Sequence, residues 1–349
     1  MARGQRRTER TSGRRSVTIA QVAERAGVSP STVSRVMNGR FVGEPEVAER
    51  VRRTAAELKY SPSPVARSLA LGETNAIALV VPDLSNPAFQ AVLSGLSKAA
   101  SRDGYRVLVA DSGESADEEA LLAVETRRRC DSIVLCAPRM PTERLSEIVE
   151  SLQPLVIINR PSTWDFAPSL SIDYRAGILS LARHLYDLGH RDMAFLNGPE
   201  RSSSNAHRLE ALDEFERAHD DVTFERIDCG FSSEDGHRVA TVVAGTRASA
   251  VLAYNDLVAV GLMNGLSELG VRVPDDISVT GFDGIPFARY TSPPLTTVSV
   301  PNDDLGTQAW LRLHAVIRGE RPGHNMMFQP RLEVRATTAP HDLAVSPTG

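Results

Sequence analysis

Residues 17–39 constrain this chain more than any other stretch. Ile19, Val22, Ala23 and Ala26 fall at the i, i+3, i+4, i+7 spacing of one buried helical face. Gly27 follows, the residue type that leaves a helix through the left-handed region. Ser29 then offers an N-cap oxygen to a second helix, and Pro30 stands at its first position, where a missing N–H costs nothing. Val33, Val36 and Met37 continue the apolar face, while Ser31, Thr32, Ser34, Arg35 and Asn38 remain outside. Two short helices, a glycine turn and a polar outer face on the second helix form the pattern of a helix-turn-helix nucleic-acid reader. A helical hairpin inside an ordinary domain shares that pattern.

Charge separates the two readings. Residues 1–72 carry 14 Arg and Lys against 6 Asp and Glu, while the rest of the chain carries 25 against 38. A basic head on an acidic body is expected when only the head meets phosphate. Arg3, Arg6, Arg7, Arg10, Arg14 and Arg15 sit in a nearly apolar-free opening, read as a disordered arm over 1–16 that either attracts phosphate or aids solubility. No apolar run reaches the roughly 18–20 residues of a membrane span, and the N-terminus lacks the apolar segment of a signal peptide. A cytoplasmic, nucleoid-associated protein is expected. Cys130, Cys136 and Cys229 have no zinc-type spacing and read as reduced thiols. No P-loop, Gly-x-Ser-x-Gly elbow or histidine metal pairing occurs, so neither catalysis nor a cofactor or metal is expected.

A third helix is predicted over about 46–59, with Val47, Val51, Ala55 and Leu58 as its apolar stripe. Two prolines, Pro62 and Pro64, then break regular helix. From residue 75 short apolar runs alternate with helical segments, in two successive sets, which predicts βαβ units and two doubly wound parallel-sheet lobes. Ligands in such sheets bind beyond the carboxyl ends of the strands. The stretch 81–89, Asn159-Arg160, 197–208, Phe231, Asn255-Asp256 and 281–284 all stand at such ends and can converge on one cleft. Asp, Asn, Arg and aromatic rings together suit a polyhydroxylated ligand. A buried Asp283 needs a donor in protein or ligand. Asn255 and Asp256 also read as caps of the following helix, Asp256 the more so, Phe89 reads equally as core or ligand platform, and Trp164 has no assigned place.

Val17-Thr18-Ile19, Ala26-Gly27-Val28-Ser29 and Thr32-Val33-Ser34-Arg35-Val36-Met37-Asn38-Gly39 resemble the opening signature of the LacI/GalR family of transcriptional regulators, and the resemblance runs almost to the C-terminus. It implies a helix-turn-helix domain over 17–60, a hinge over 61–74 and an effector-binding and dimerisation core over 75–340, followed by a tail over 341–349. The core would have a periplasmic-binding-protein-like shape, lobe 1 spanning about 75–165 and 299–326 and lobe 2 about 166–298 and 327–340. The family's base-reading positions fall on Pro30, Ser31 and Arg35, with Ser29, Thr32, Ser34 and Asn38 placing the DNA backbone and Thr18 a further DNA-binding position. Ala66 and Leu69 fall in the hinge, Leu69 at the position of a minor-groove wedge. Arg208 and Asp283 match effector-contacting positions, and Ala88, Phe89, Asn159, Ser204, Phe231 and Asn255 match positions that line the pocket. The implied partners are operator DNA, a second copy of the chain, and a sugar or sugar derivative, with a nucleobase or nucleoside as second choice. The sequence departs from the family at Gly43-Glu44-Pro45, which lacks the usual hydroxyl cap, at Val47, at Ser63 and at Ala211.

Overall fold

The computed structural model describes residues 17–61, 72–162, 164–321 and 325–341. The chain divides into two units between Thr74 and Asn75. The first holds α1 (Ile19–Ala26), α2 (Pro30–Met37) and α3 (Pro45–Glu57). Gly27 leaves α1 at φ +66°, and the Ser29 hydroxyl accepts the Thr32 N–H at 3.1 Å to cap α2. Val22, Ala23, Ala26, Val33 and Val36 close a small core with Ala48, Val51 and Ala55 of α3. The predicted stripe on α3 is corrected at its start. Val47 lies off the core, because Ala48, Val51 and Ala55 share one face and Val47 is turned about 100° from it. Glu44 precedes α3 without a side-chain cap. Instead, the Arg50 Nε donates to the Ala26 carbonyl at 3.0 Å and ties α3 to the end of α1. The predicted arm, Ser63, Ala66 and Leu69 of the hinge, and residues 342–349 of the tail lie outside the described residues.

The second unit contains two six-stranded sheets. The first runs through β1 (Ala76–Val81), β2 (Arg106–Asp111), β3 (Ser132–Cys136), β4 (Leu155–Ile158) and β5 (Ser169–Ile172). The second starts with β6 (Asp192–Asn197), β7 (Thr223–Asp228), β8 (Ala250–Leu252), β9 (Ser278–Asp283) and β10 (Thr296–Ser299). β11 (Met326–Phe328) returns to the first sheet, giving the order β11-β5-β4-β3-β1-β2, all parallel. β12 (Arg331–Glu333) joins the second, in the order β12-β10-β9-β8-β6-β7, parallel except for the β10–β12 pair.

The apolar runs are continuous because both faces of each sheet are covered. Along β1, Ile77, Leu79 and Val81 pack against α4 (Pro87–Arg102) and α11 (Asn302–Ile317). Ala78 and Val80 pack against α5 (Ala116–Arg127) and α6 (Thr142–Ile148). In the second sheet Met193 and Phe195 face α7 (Tyr174–Asp187) and α8 (Ser203–Ala218), while Ala194 and Leu196 face α9 (Ser233–Ala244) and α10 (Asp256–Glu268). Each lobe has one helix pair in backbone contact. A Cβ on Gly95 of α4 would stand 1.9 Å from the Asp303 carbonyl oxygen of α11, and one on Gly261 of α10 would stand 1.8 Å from that of Ser233 in α9.

The lobe limits move from those expected. β5 pairs with β4, so lobe 1 extends to Ile172 rather than 165, and β11 carries it to Phe328 rather than 326. β10 keeps lobe 2 through Ser299. All three corrections concern strands of three or four residues, too short for an alternation to stand out. α6 runs on into a 3-10 turn at Val149–Leu152. β8 stops at Leu252, and Asn255 caps α10.

Candidate functional site

In the first unit, Ser29, Pro30, Ser31 and Arg35 are exposed, while Thr32, Ser34 and Asn38 are partly covered. The Ser29 hydroxyl lies 2.8 Å from that of Ser31 and 3.0 Å from that of Thr32, so three candidate phosphate or base contacts form one hydroxyl cluster at the start of α2. Such a cluster at a helix N-terminus suits phosphate, and Arg35, one turn further on, has the fork geometry for a guanine edge. Thr18 precedes α1, its backbone N–H donating to the Gln21 side chain at 2.9 Å. Asn38 is not freely available outside: its Nδ2 donates to Ser34 Oγ at 3.4 Å and its Oδ1 is buried without a partner.

In the second unit a cavity lies between the lobes, at the carboxyl ends of both sheets. Its lining includes all eight residues expected there: Ala88, Phe89, Asn159, Ser204, Arg208, Phe231, Asn255 and Asp283. The space between them is about 30 Å³, enough for one or two waters. A ring-sized ligand therefore requires the lobes to separate.

Arg208 projects from α8 and is 2% exposed. Its guanidinium lies 4.1 Å from the Phe282 ring centre, 4.7 Å from that of Tyr174 and 4.9 Å from that of Tyr254. One Nη donates to Ser204 Oγ at 3.2 Å, while Nε is buried with no partner. No carboxylate lies within ion-pair distance of it among the described residues. Asp283 ends β9 at φ +108°. Burial pushes its carboxyl up to about 6, against the opposing pull of Arg208 and of the Asn86 side chain, which belongs to lobe 1. The groups that favour its charge are thus supplied by protein. Burial also holds the Tyr174 phenol well above its ordinary range.

Two of the expected residues line the wall with their polar groups already engaged. Asn255 caps α10 by accepting the Val258 N–H at 2.8 Å and donates to the Phe231 carbonyl at 2.8 Å. Asn159, at φ +57°, accepts the Ile172 N–H at 3.2 Å. Asp256 is not a helix cap. Fully buried, it accepts the Ile285 N–H at 2.7 Å and the Thr297 hydroxyl at 2.5 Å, which fixes the loop that follows Asp283. Burial and the neighbouring Asp283 hold its carboxyl well above the usual range. Phe89 both packs on the lobe-1 core and lines the cavity. Trp164 packs in the other lobe-1 core, and Arg160 donates to Met140 O and Thr142 Oγ1; neither lines the cleft.

The sequence reading passed over Glu114, Ala137, Arg139, Tyr174, Tyr254 and Asn302, which also line the cavity. Glu114 and Arg139 follow the second and third strands, so the strand-end rule finds them when it is applied to every strand of the first lobe.

Residues 18–63 match the profile of the lacI family of bacterial regulatory proteins, and residues 182–338 match that of periplasmic binding protein-like domains. The HTH-type transcriptional repressor PurR of Proteus mirabilis (strain HI4320) is 34% identical over 332 residues, covering 92% of this chain and 97% of that protein. The chain belongs to the LacI family of bacterial regulatory proteins. Among solved structures, the lac repressor dimer bound to operator and the anti-inducer ONPF matches this LacI-family chain with a TM-score of 0.79 at 27% identity, covering 93% of this chain and 100% of that one. A LacI-family transcriptional regulator from Enterococcus faecium with bound ribose matches 76% of this chain and 100% of its own, with a TM-score of 0.67 at 27% identity. This LacI-family protein is a DNA-binding, ligand-responsive regulator homologous to repressors, and not an enzyme. No helix among the described residues is long and apolar enough to cross a membrane.

Proposed function

We propose that this regulator acts in the cytoplasm as a homodimeric repressor of carbohydrate uptake or catabolism genes, reading a palindromic operator and a sugar-like effector. Each α2 enters the major groove of one half-site, where Arg35 reads a base edge, Ser31 discriminates weakly and Pro30 reads by shape. Thr18, Ser29, Thr32, Ser34 and Asn38 fix the backbone. In the hinge, Leu69 supplies the minor-groove wedge and Ala66 is a second DNA-contacting position.

The observation that carries the ligand half is the pairing of Arg208, with its buried and unpartnered Nε, and Asp283, whose carboxyl is held at about 6, in one cavity with aromatic walls. A donor and an acceptor on one side of a cleft fit adjacent hydroxyls, and the rings cover the apolar face of a sugar. Because the cavity is too small for a ring, binding and lobe separation are linked. The ligand shifts operator affinity by its differential affinity for the two lobe arrangements. A coupling of about 1–3 kcal/mol gives a 5–150-fold change.

The test is fluorescence anisotropy on labelled palindromes from upstream of the protein's own gene, at fixed salt with random duplex as competitor, adding sugars and nucleosides singly. Competitor-resistant binding that changes with one sugar is expected. Arg208→Met should abolish that response and leave operator affinity within about twofold, since the effector site and the DNA-reading helix are separate. Loss of both by a folded variant would sink the cleft assignment. Response to a nucleoside alone would replace the sugar reading.

A further inference from the structure

The lobe-1 wall of the cleft holds a charge pair that the effector reading does not use. Arg139, 4% exposed, meets Glu114, 10% exposed, in a two-pronged contact: Nε to Oε2 at 2.5 Å and Nη2 to Oε1 at 2.9 Å. A third donor, Nη1, takes the Ala137 carbonyl at 2.9 Å. Both backbones are fixed as well. Glu114 sits at φ +61° with its N–H on the Pro82 carbonyl at 2.7 Å. The Arg139 N–H donates to both oxygens of the buried Glu119, at 3.0 and 2.8 Å. An arginine has five N–H donors, so two remain, and each Glu114 oxygen keeps a lone pair.

We propose that the Arg139–Glu114 pair is a specificity filter: it offers donors and acceptors on the lobe-1 wall with no net charge of its own, which admits hydroxyls and excludes phosphate or carboxylate groups. This rests on the reading of the cleft as the effector site. An anion on the two remaining Arg139 donors sets its charge beside that of Glu114, and one that displaces Glu114 leaves a buried carboxylate uncompensated, the costly half of breaking a buried pair. The other acids of the lining, Asp83 and Asp283, add repulsion. The opposite wall differs in kind, because Arg208 has no carboxylate in ion-pair contact and presents an open donor. The filter therefore selects uncharged hydroxylated ligands over their phosphorylated or oxidised forms.

The test uses the full-length protein and inorganic phosphate as probe, with retention measured by equilibrium dialysis. The basic N-terminal unit contributes equally to every variant, so the difference between variants is the readout. Wild type should show no more than this background. Glu114→Gln keeps the shape, removes the counter-charge and should gain saturable binding at least tenfold above wild type. Adding Arg139→Met to it should abolish the gain. No gain in folded Glu114→Gln, or a gain that survives Arg139→Met, overturns the filter. Should Glu114→Gln not fold, wild type decides: neutral monosaccharides should outcompete their 6-phosphates at least tenfold, and the reverse preference overturns the proposal. Failure of the cleft as effector site has a different signature, a sugar response that persists in Arg208→Met.

Discussion

Asp283 sits where its charge is a burden to the protein alone, so Asp283→Asn should stabilise the fold while removing ligand response. A carboxyl held at about 6, against its ordinary 3.8, carries an ionisation penalty of about 3 kcal/mol at neutral pH. Part of Asp283 stays open to the cavity that it lines, which lowers the expectation to about 1–2 kcal/mol. The sign follows from proton binding. The folded state holds the proton more tightly, so its advantage is present below pH 3.8 and is lost as pH rises through 6. The assay is urea unfolding followed by circular dichroism at one protein concentration, for wild type and variant, from pH 4 to 7.5. The variant should be the more stable at pH 7.5, and the gap should shrink toward pH 4. Taking the difference cancels the titrating groups that do not sense Asp283; Asp256 does, and the relief of its carboxyl in the variant adds to the gap in the same direction. A variant less stable at pH 7.5, or a gap independent of pH, would refute the account of this carboxyl. That result would imply that Asn86 and Arg208 together hold the ionised form better than water does.

Gly306→Ala should lower stability by about 3 kcal/mol, because its Cβ would stand 2.0 Å from the Val92 carbonyl oxygen across the α4–α11 contact. Trp310 lies on α11 and reports the transition by fluorescence; a loss below about 1 kcal/mol would mean that the two helices part easily. Ser29→Ala should cost α2 about 1 kcal/mol and weaken specific operator binding, whereas Ser29→Gly should cost only a few tenths. Equal losses in thermal melts of the two variants would take the cap away as the reason for this serine.

The α1–α2 pair was legible because every signal in it is local. A helix period, a left-handed glycine and a capping serine all fall within 23 residues and agree. The two lobes were legible for a related reason, since strands covered on both faces read as unbroken apolar runs. Their limits were not. β5 and β11 owe their place to pairing across the sheet, with Asp173 donating its N–H to the Phe328 carbonyl at 2.9 Å, over 155 residues of sequence. The cleft divides in the same way. Arg208 and Asp283 were found through resemblance and strand position, but of the two cap candidates only Asn255 caps the helix, and Asp256 does not. Adjacent Asn and Asp are equally good caps by type. Only the Thr297 hydroxyl and the Ile285 N–H, both distant in sequence, pull the Asp256 carboxylate away from its own helix.

The backbone of the cleft bears on how such a site can switch. Six non-glycine residues among those described have positive φ, and four of them, Glu114, Ala137, Asn159 and Asp283, line this one cavity. Such conformations persist only where the surroundings over-determine them. Glu114 is held by the Pro82 carbonyl, Ala137 by that of Ile158 and Asn159 by that of Leu170, while Asp256 grips the loop beyond Asp283. Each wall is therefore rigid, and neither can adapt to a ligand by relaxing its own backbone. What remains variable is the junction of the lobes. The chain crosses it after β5, after β10 and between β11 and β12, and the Gln329 side chain bonds Asp173 at 3.3 Å to tie two of these crossings together. Across the cleft, the Asn86 side chain of lobe 1 favours the charged form of Asp283 in lobe 2. A ligand that takes over Asp283 as acceptor competes with Asn86, so recognition bears on a contact between the lobes. With rigid walls, the expected response to that exchange is a change of lobe angle and not a local rearrangement.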